Sequence, residues 1–252
     1  MSQRTDYGID APGLMRGFFA AGGVAAAVAI LSCALVANEA IWRPALIVIG
    51  VVVAIYALGM GNFMLFESKI GKVDGRETIL DRVNWAGDEQ VLDVGCGRGL
   101  MLVGAAKRLT TGRAIGVDIW QASDQSANGP DGAIENATLE RVAERVEVQT
   151  ADMRSLPFAS DIFDVVTSHW VVHNLERVAD RQAALDEMIR VLKPGGTLLL
   201  TDIANRDAYR AHLSQRGFGR LQTLVRPVRD KILALISFGS FRPATIIGLK
   251  PR

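Results

Sequence analysis

The sequence has few of the residues that build disulfide frameworks and metal centres. Its 252 residues include only two cysteines, Cys33 and Cys96, and three histidines. The first cysteine lies in an apolar stretch and the second in a glycine-rich stretch, so they do not form the closely spaced pairs typical of zinc sites. We therefore predict neither a disulfide scaffold nor a bound metal.

Charge is absent from two long runs near the N-terminus. Gly17–Asn38 has 22 residues and Pro44–Phe66 has 23 residues without a charged side chain, and Glu39–Arg43 connects them. At about 1.5 Å per residue, each run as a helix reaches the roughly 30 Å thickness of a bilayer core. Neither run has a polar face, and small residues that permit close helix packing in lipid recur in both. We predict a transmembrane helical hairpin.

The charges that flank these runs predict an orientation. The basic flanking residues are Arg4, Arg16, Lys69, Lys72 and Arg76, whereas the connector has one acid and one base. The positive-inside rule then places both termini in the cytoplasm. This gives a cytoplasmic N-terminus at 1–16, a hairpin at 17–66 and a cytoplasmic domain at 67–252. A cleaved signal peptide or a lipoprotein signal is disfavoured because a second apolar run follows the first.

The C-terminal part is strongly basic. Residues 206–252 contain ten basic and two acidic side chains, whereas residues 67–205 contain 15 basic and 22 acidic ones. A basic end near a membrane is attracted to anionic lipid headgroups, although such side chains also decorate ordinary exposed faces. The apolar stretch Asp230–Phe241 is either an interfacial lip over a substrate entrance or a buried helix.

The stretch Val91–Leu100, VLDVGCGRGL, has the pattern of a strand, a glycine turn and a helix. Its G-x-G-x-G spacing differs from the dinucleotide fingerprint G-x-G-x-x-G and from the P-loop. Asp118 ends the next predicted strand, 23 residues after Gly95, where a carboxylate suits the hydroxyls of a ribose. The stretch therefore favours a ribose-bearing ligand without a pyrophosphate.

Strand and helix patterns alternate from here onward. The predicted strands are Gln90–Val94, Arg113–Asp118, Arg145–Thr150, Phe163–Ser168 and Thr197–Thr201, and the helices are Gly99–Arg108, Pro130–Ala143 and Ala179–Leu192. A helix at Arg206–Arg216 and strands at Arg220–Arg226 and Ala244–Leu249 follow. This alternation predicts a doubly wound parallel sheet, whose ligands bind at the carboxyl ends of the strands. Asp93–Gly99, Asp118, Asp152 and His169 fall at such ends and predict one shared site.

The ordered segments VLDVGCGRG, GVDIW, TADMRSLPF, FDVVTSHWVVHNL and VLKPGGTLLLTD carry a family resemblance. From roughly Gly71 to Asp202 the chain resembles the class I S-adenosylmethionine (SAM)-dependent methyltransferases of the type 11 group. The resemblance implies a Rossmann-like fold with a mostly parallel seven-stranded sheet, closed by an antiparallel hairpin. It also implies that SAM is the cofactor.

The resemblance assigns cofactor roles to particular positions. It places SAM against the glycine turn, with Asp93 as a support, Asp118 on the ribose, and Ile119 or Trp120 on the adenine face. The remaining implied positions are Gly95, Gly97, Gly99, Asp152, Met153 and His169. Asp152 and the Met153 amide would contact the adenine edge, and the His169 backbone the methionine amine. The alternatives are a surface turn for Asp118, core packing for Trp120 and a turn cap for Asp152.

The sulfonium methyl of SAM is already activated, so the protein mainly aligns the reactants and excludes water. His173 is the candidate general base, because histidine accepts protons near neutral pH; the alternative is a pocket residue. Asp202 is a weaker candidate, His212 is expected at the surface, and Cys96 is expected to be a small turn residue rather than a nucleophile. We predict a membrane enzyme with a small lipophilic acceptor, membrane lipids and a possible partner enzyme, and no nucleic acid.

Two other classes of function stay open at this point. The first is a non-catalytic SAM-binding subunit of a membrane complex, since no sequence feature proves turnover. The second is an NAD-dependent dehydrogenase, against which the missing dinucleotide fingerprint argues.

Overall fold

The structure is a computed structural model that describes residues 5–37, 40–121, 125–225, 230, 234–235, 237, 239 and 242–252. The apolar stretch Asp230–Phe241, for which an interfacial lip and a buried helix were the two alternatives, lies largely outside the described residues. The chain forms two compact units. The hairpin unit comprises residues 8–73 and 121–128, and the domain unit comprises residues 1–7, 74–120 and 129–252.

The hairpin unit is built on two long helices. Helix α1 spans Pro12–Leu35 and α2 spans Arg43–Phe66, which then continues through a π-helical turn at Glu67–Gly71 into α3 at Lys72–Leu80. Helix α1 begins before the predicted start because Pro12 occupies its first turn, where a missing N–H breaks no helical hydrogen bond. Pro44 lies in the first turn of α2 in the same way.

Small residues lie between α1 and α2, and large apolar residues lie outside. An added Cβ at Gly50 would lie 2.9 Å from the carbonyl oxygen of Ala25, and one at Gly22 would lie 2.7 Å from Cγ of Leu58. By contrast, Ile30 on α1 and Ile55 on α2 are 66% and 70% exposed. The packing surface of this hairpin therefore depends on close backbone approach rather than on burial of large side chains.

The domain unit contains one seven-stranded sheet. Its strands are β1 Gln90–Val94, β2 Arg113–Asp118, β3 Val146–Thr150, β4 Phe163–His169, β5 Leu192–Asp202, β6 Gln222–Leu224 and β7 Ala244–Leu249. The strand order is β3-β2-β1-β4-β5-β7-β6. The first five strands pair in parallel, and β7 is antiparallel to both β5 and β6. The predicted Rossmann-like class and the closing antiparallel hairpin are confirmed.

The remaining helices are α4 Leu100–Ala106, α5 Pro130–Leu139, α6 Val178–Val191 and α7 Arg206–Gln215. They agree with the predicted order, with differences at the ends. Helix α5 ends before the predicted Ala143 because Arg141 has φ +61°, which no right-handed helix accommodates. A hydrophobic cluster forms a core of this unit. Its members Leu92, Val166 and Leu198 lie on the central strands of the sheet.

His212 is a case in which the sequence prediction is wrong. It is buried rather than at the surface, and its Nε2 lies 2.7 Å from Oδ1 of Asp186 on α6. Arg216 donates to the other oxygen of the same carboxylate. This basic helix can bury His212 because a carboxylate on the neighbouring helix forms a hydrogen bond with its ring nitrogen.

One side of α2 packs against α1 and another side is open, so two glycines of this helix give a matched pair of variants. Gly50→Val places side-chain atoms against the backbone of α1, whereas an added Cβ at Gly59 meets no atom within 4 Å. We expect Gly50→Val to lower the free energy of unfolding by about 1–3 kcal/mol through overpacking, and Gly59→Val to have little effect. Far-UV circular dichroism during thermal unfolding in mild detergent measures both. Equal shifts in the two variants would contradict this packing.

Candidate active site

The glycine turn connects β1 to α4 at the carboxyl end of the sheet. Gly95, Gly97 and Gly99 have φ values of +73°, +49° and +83°, which L-residues with a side chain rarely adopt. At Gly95 an added Cβ would also lie 2.5 Å from Cγ2 of Val171 in the segment after β4. The predicted strand, turn and helix are confirmed, and the backbone geometry requires glycine at these positions.

Asp118 holds this turn from the end of β2. The Gly97 amide donates to its Oδ2 at 2.8 Å, and the Trp120 amide donates to its Oδ1 at 2.7 Å. The contact forms because β1 and β2 are parallel neighbours, so their carboxyl ends meet. A carboxylate has about four lone-pair sites. The half-buried Asp118 therefore keeps acceptor capacity for a ligand hydroxyl on each oxygen.

Asp93 supports the turn from inside the domain. Its carboxyl accepts hydrogen bonds from the Leu102 amide at 3.0 Å and the Thr167 hydroxyl at 2.7 Å. The side chain is almost fully buried, and this burial raises the pKa of Asp93 to about 7. Asp93 thus ties the first turn of α4 to β4.

The candidate adenine-face residues follow Asp118 directly. Trp120 has φ +61°, and its indole N–H donates to the Thr150 hydroxyl at 2.8 Å. Ile119 is 46% exposed. The hydrogen bond fixes the indole over the ends of β2 and β3, whereas the Ile119 side chain faces solvent.

The next candidates lie after β3. Asp152 accepts hydrogen bonds from the backbone amide and the guanidinium of Arg154, and these bonds lower the pKa of its carboxyl. Asp152 is therefore ionised and also caps the following turn. The Met153 side chain is buried in the hydrophobic core, so only its backbone is available to a ligand.

Cys96 lies within the turn but is unsuited to covalent chemistry. It is buried, its Sγ lies 2.7 Å from the position of an added Cβ at Gly116, and burial raises the pKa of its thiol well above the usual range. A protonated, enclosed thiol is a poor nucleophile. The structure agrees with the expected role of Cys96 as a small turn residue.

The end of β4 is followed by a strained aromatic residue that the sequence analysis missed. His169 is the last residue of β4, and its ring stacks on Trp170 with centroids 5.2 Å apart. Trp170 has φ +58°, and its buried indole N–H has no hydrogen-bond partner among the residues that the structure describes. Such strain at a strand end is typical of functional sites. A bulky residue at the carboxyl end of β4 was the available sequence signal.

His173 is paired with a buried carboxylate. Its Nδ1 lies 2.5 Å from Oδ1 of Asp202, and its backbone amide donates to Oδ2 at 3.0 Å. The Tyr209 hydroxyl donates to the same Oδ2 at 3.2 Å. An ionised carboxylate only accepts hydrogen bonds, so Nδ1 carries the hydrogen and Nε2 is the basic nitrogen. The sequence predicts each residue as a candidate base but does not predict that they pair.

Tyr209 stays protonated in this cluster. Burial, followed by the nearby charge of Asp202, raises the pKa of Tyr209 above its usual range. The phenol therefore remains a donor to Asp202, which is only 3% exposed. The carboxylate is thus held by four donors: the His173 ring Nδ1, the His173 amide, the Ile203 amide and the Tyr209 hydroxyl.

Part of this domain is similar to known methyltransferases. Residues 92–200 match the family model described as a methyltransferase domain. The chain is 32% identical over 130 residues to the methyltransferase GfsG of Streptomyces halstedii, covering 52% of this chain and 43% of that protein. It is 33% identical over 133 residues to the demethylmenaquinone methyltransferase of Lactiplantibacillus plantarum, covering 52% of each chain. The chain thus spans about half the length of these curated relatives.

A solved structure gives the same fold. Geranyl diphosphate C-methyltransferase from Streptomyces coelicolor A3(2), in complex with Mg²⁺, geranyl diphosphate and S-adenosyl-L-homocysteine, superposes with a TM-score of 0.55 at 18% identity. The superposition covers 86% of this chain and 87% of that one. The superposition shows the same fold, and residues 92–200 within it are those that match a methyltransferase domain.

The residues present fit SAM. The three turn positions with positive φ values are glycines, so no side chain occupies the turn. Asp118 keeps free acceptor capacity beside it. The carboxylates of Asp118 and Asp152 also suit a cofactor that bears a sulfonium and an ammonium group. The donor and acceptor set therefore matches the ribose and the cationic end of this cofactor.

Asp93 gives the domain a predictable pH dependence. A carboxyl has a pKa near 3.9 in an unfolded chain, and that of Asp93 is about 7 when folded. Between these values the folded state retains a proton that the unfolded state has lost. The contribution of Asp93 to stability therefore falls as pH rises from about 4 to about 7 and is constant above that.

We expect the free energy of unfolding of the wild type to fall relative to that of Asp93→Asn across this range, on the order of a few kcal/mol. Denaturant unfolding at several pH values measures the difference. Glu147→Gln, at an exposed carboxylate, is the control and should follow the wild-type curve. Parallel curves for the wild type and Asp93→Asn would contradict the assignment.

Proposed function

We propose that this chain is a membrane-anchored enzyme that transfers the methyl group of SAM to a small lipophilic acceptor. The observation that supports the transfer best is the His173–Asp202 pair at the ends of β4 and β5. This pair lies in the same domain unit as the glycine turn and Asp118. A general base and a cofactor turn at one edge of one sheet are the parts that such a reaction requires.

The proposed cofactor contacts follow the sequence predictions. The backbone of Gly95, Gly97 and Gly99 and the His169 backbone hold the methionine end, and Asp93 supports them. The ribose and adenine contacts are Asp118, Ile119 or Trp120, Asp152 and the Met153 amide. In this proposal Arg154 keeps the Asp152 carboxylate ionised and in place.

The proposed role of the protein in the reaction is alignment and proton removal. SAM supplies an activated methyl group on a sulfonium sulfur. A lone pair of the acceptor forms the bond to the methyl carbon, and the carbon–sulfur bond breaks. His173 Nε2 accepts the proton that the acceptor loses. Asp202 orients the imidazole and stabilises its protonated form, and Tyr209 holds Asp202.

The hairpin unit is the proposed membrane anchor. Two described helices have the length and apolarity of a membrane span. Their large side chains face outward and their small ones inward, which is the reverse of a soluble core. Contiguous exposed apolar surface of this kind is rare in soluble monomers. In this proposal the lipid bilayer covers the exposed apolar surface of the hairpin, and no other protein contact is needed.

The proposed orientation puts both ends of the hairpin on the cytoplasmic side. The described residues just before it, 5–7, and residues 74–120 after it belong to the same domain unit. The chain must therefore leave the domain and return to it, which an even number of spans permits. This agrees with the basic flanks and with the cytosolic supply of SAM.

The proposed acceptor is a quinone-like ring, a lipid or a hydrophobic metabolite. One relative is named for its action on demethylmenaquinone, and anchoring raises the local concentration of molecules dissolved in the same membrane. Membrane lipids surround the anchor in this proposal, a partner enzyme at the membrane is compatible with it, and no nucleic acid takes part. The dehydrogenase alternative loses its support because the domain matches a methyltransferase family.

We expect purified protein in detergent to transfer methyl label from SAM to an organic-phase component of a membrane extract. His173→Ala should retain SAM binding but lower transfer by about 100-fold, the typical contribution of a general base. His212→Ala is the matched control, because the His212 ring is also paired with a carboxylate but lies outside the proposed site. Phase partition and counting of the label measure the transfer.

The same experiment can contradict the proposal. Equal transfer by His173→Ala and His212→Ala would reduce His173 to a packing residue. SAM binding by the wild type without any transfer would favour the non-catalytic subunit. Label in the aqueous phase alone would exclude a lipophilic acceptor.

The topology is tested in spheroplasts with a membrane-impermeant maleimide. In a Cys33→Ser background, we expect Ile41→Cys to react in intact spheroplasts, because Ile41 lies between α1 and α2 and is 91% exposed. Glu144→Cys, in the domain unit, should react only after lysis. Labelling of both cysteines before lysis, or of neither, would contradict the proposed orientation.

A further inference from the structure

A short N-terminal segment is bonded to the cofactor turn. This segment, residues 5–7, precedes α1 in the chain but belongs to the domain unit. The guanidinium Nε of Arg98 donates to the carbonyl oxygen of Asp6 at 2.6 Å. Arg98 lies between Gly97 and Gly99, at the tip of the turn. The segment that leads into the hairpin therefore contacts the turn proposed to bind SAM.

Asn136 on α5 connects the segment and the turn. Its Nδ2 donates to the carbonyl oxygen of Asp6 at 3.0 Å and to that of Arg98 at 2.9 Å, and its Oδ1 accepts from the Asp6 amide at 2.9 Å. Asn136 is 1% exposed. A buried amide whose donors and acceptor are all used fixes the groups that it bonds, since losing any one bond leaves a buried polar group unsatisfied.

The fold leaves room for this arrangement. An added Cβ at Gly132, one turn before Asn136 on α5, would lie 2.8 Å from Nη1 of Arg98. The Arg98 side chain therefore lies across α5 and reaches Asp6, while its own carbonyl is held by Asn136. The tip of the turn is fixed on this side, and Asp118 holds Gly97 on the other.

Tyr7 fixes the segment at a second point. It is 4% exposed, and its hydroxyl accepts from Arg76 at 3.0 Å and donates to Glu140 at 3.2 Å. The Arg76 guanidinium also lies 5.4 Å from the centroid of the Tyr7 ring. This anchor lies at the far end of α5, so the segment is held independently of the turn.

We propose that Asn136 is a positioning residue for SAM, which holds the cofactor turn in its binding geometry through Arg98 and the N-terminal segment. This inference rests on the proposed binding of SAM at the turn. It assigns Asn136 no contact with the cofactor. Residues before the hairpin thereby help to set the affinity of the domain for its cofactor.

Asn136→Asp is the sharpest test, because it keeps the shape and the Oδ1 acceptor but directs an oxygen at the carbonyls of Asp6 and Arg98. We expect the Kd for SAM, measured by calorimetry on the full-length protein in detergent, to rise about tenfold or more. The KM for SAM should rise equally, while kcat at saturating SAM stays within about twofold.

Thr245→Val is the control for general destabilisation. It removes a buried hydroxyl bond to Thr201 at 2.9 Å, on a strand distant in sheet order from the turn. It should lower thermal stability and leave the Kd for SAM unchanged. An equal loss of affinity in Thr245→Val and Asn136→Asp would overturn the positioning role, because any loss of stability would then suffice.

Asp6→Pro is the second variant, at an exposed side chain whose backbone amide makes the contact. Alone it should weaken SAM binding several-fold, and in the Asn136→Asp background it should add little, since Asn136→Asp already disrupts the bonds that connect Asp6 to the turn. Additive losses would overturn the role of the segment.

Asp118→Ala distinguishes a failure of the positioning role from a failure of the proposed function. If Asp118→Ala loses SAM binding while Asn136→Asp and Asp6→Pro bind as the wild type does, the positioning role is overturned and the proposed function stands. If the wild type itself does not bind SAM, the proposed function is overturned, and this inference with it.

Discussion

The glycine turn after β1 is the feature on which the rest of the site depends. Its three left-handed glycines remove side chains from the turn but also make it flexible, so other residues must hold it. Asp93 holds it from the core and Asp118 from the neighbouring strand. The high folded pKa of Asp93 is the energetic consequence of placing one support inside the hydrophobic core.

The same constraint explains the second half of the site. Parallel pairing of β4 with β5 brings His169 opposite Thr201, so the segments that follow each strand lie side by side. His173 and Asp202 meet there, and Tyr209 reaches them from α7. The carboxyl end of the sheet thus carries the glycine turn, Asp118 and the His173–Asp202 pair.

Local sequence pattern predicted the sheet, because strand periodicity and glycine punctuation are properties of neighbouring residues. It also placed Asp118 and Asp152 at strand ends, where the fold makes one site. The pairing of His173 with Asp202 could not be predicted in this way, since it depends on the register of two strands. The bond between Asn136 and Asp6 joins residues 130 positions apart, and no local pattern encodes it.

His212 shows the opposite limit. Its helix is rich in charge, which indicates a solvated face, yet Asp186 on another helix neutralises the cost of burial. The observed helix ends differ from the predicted ones because of backbone conformation. Arg141, for example, has a positive φ that the pattern of apolar residues does not indicate. Sequence therefore predicted elements and strand-end residues well, and tertiary partners poorly.

Calorimetric titration of SAM into the wild type and Asp118→Ala tests the central claim most directly. We expect the wild type to bind SAM and Asp118→Ala to lose affinity by about 100-fold or more, because two acceptor oxygens and the hydrogen bond to the Gly97 amide are removed together. Far-UV circular dichroism should show that the variant is folded. Equal affinity in the two proteins would contradict the assignment of this turn and carboxylate as the cofactor site.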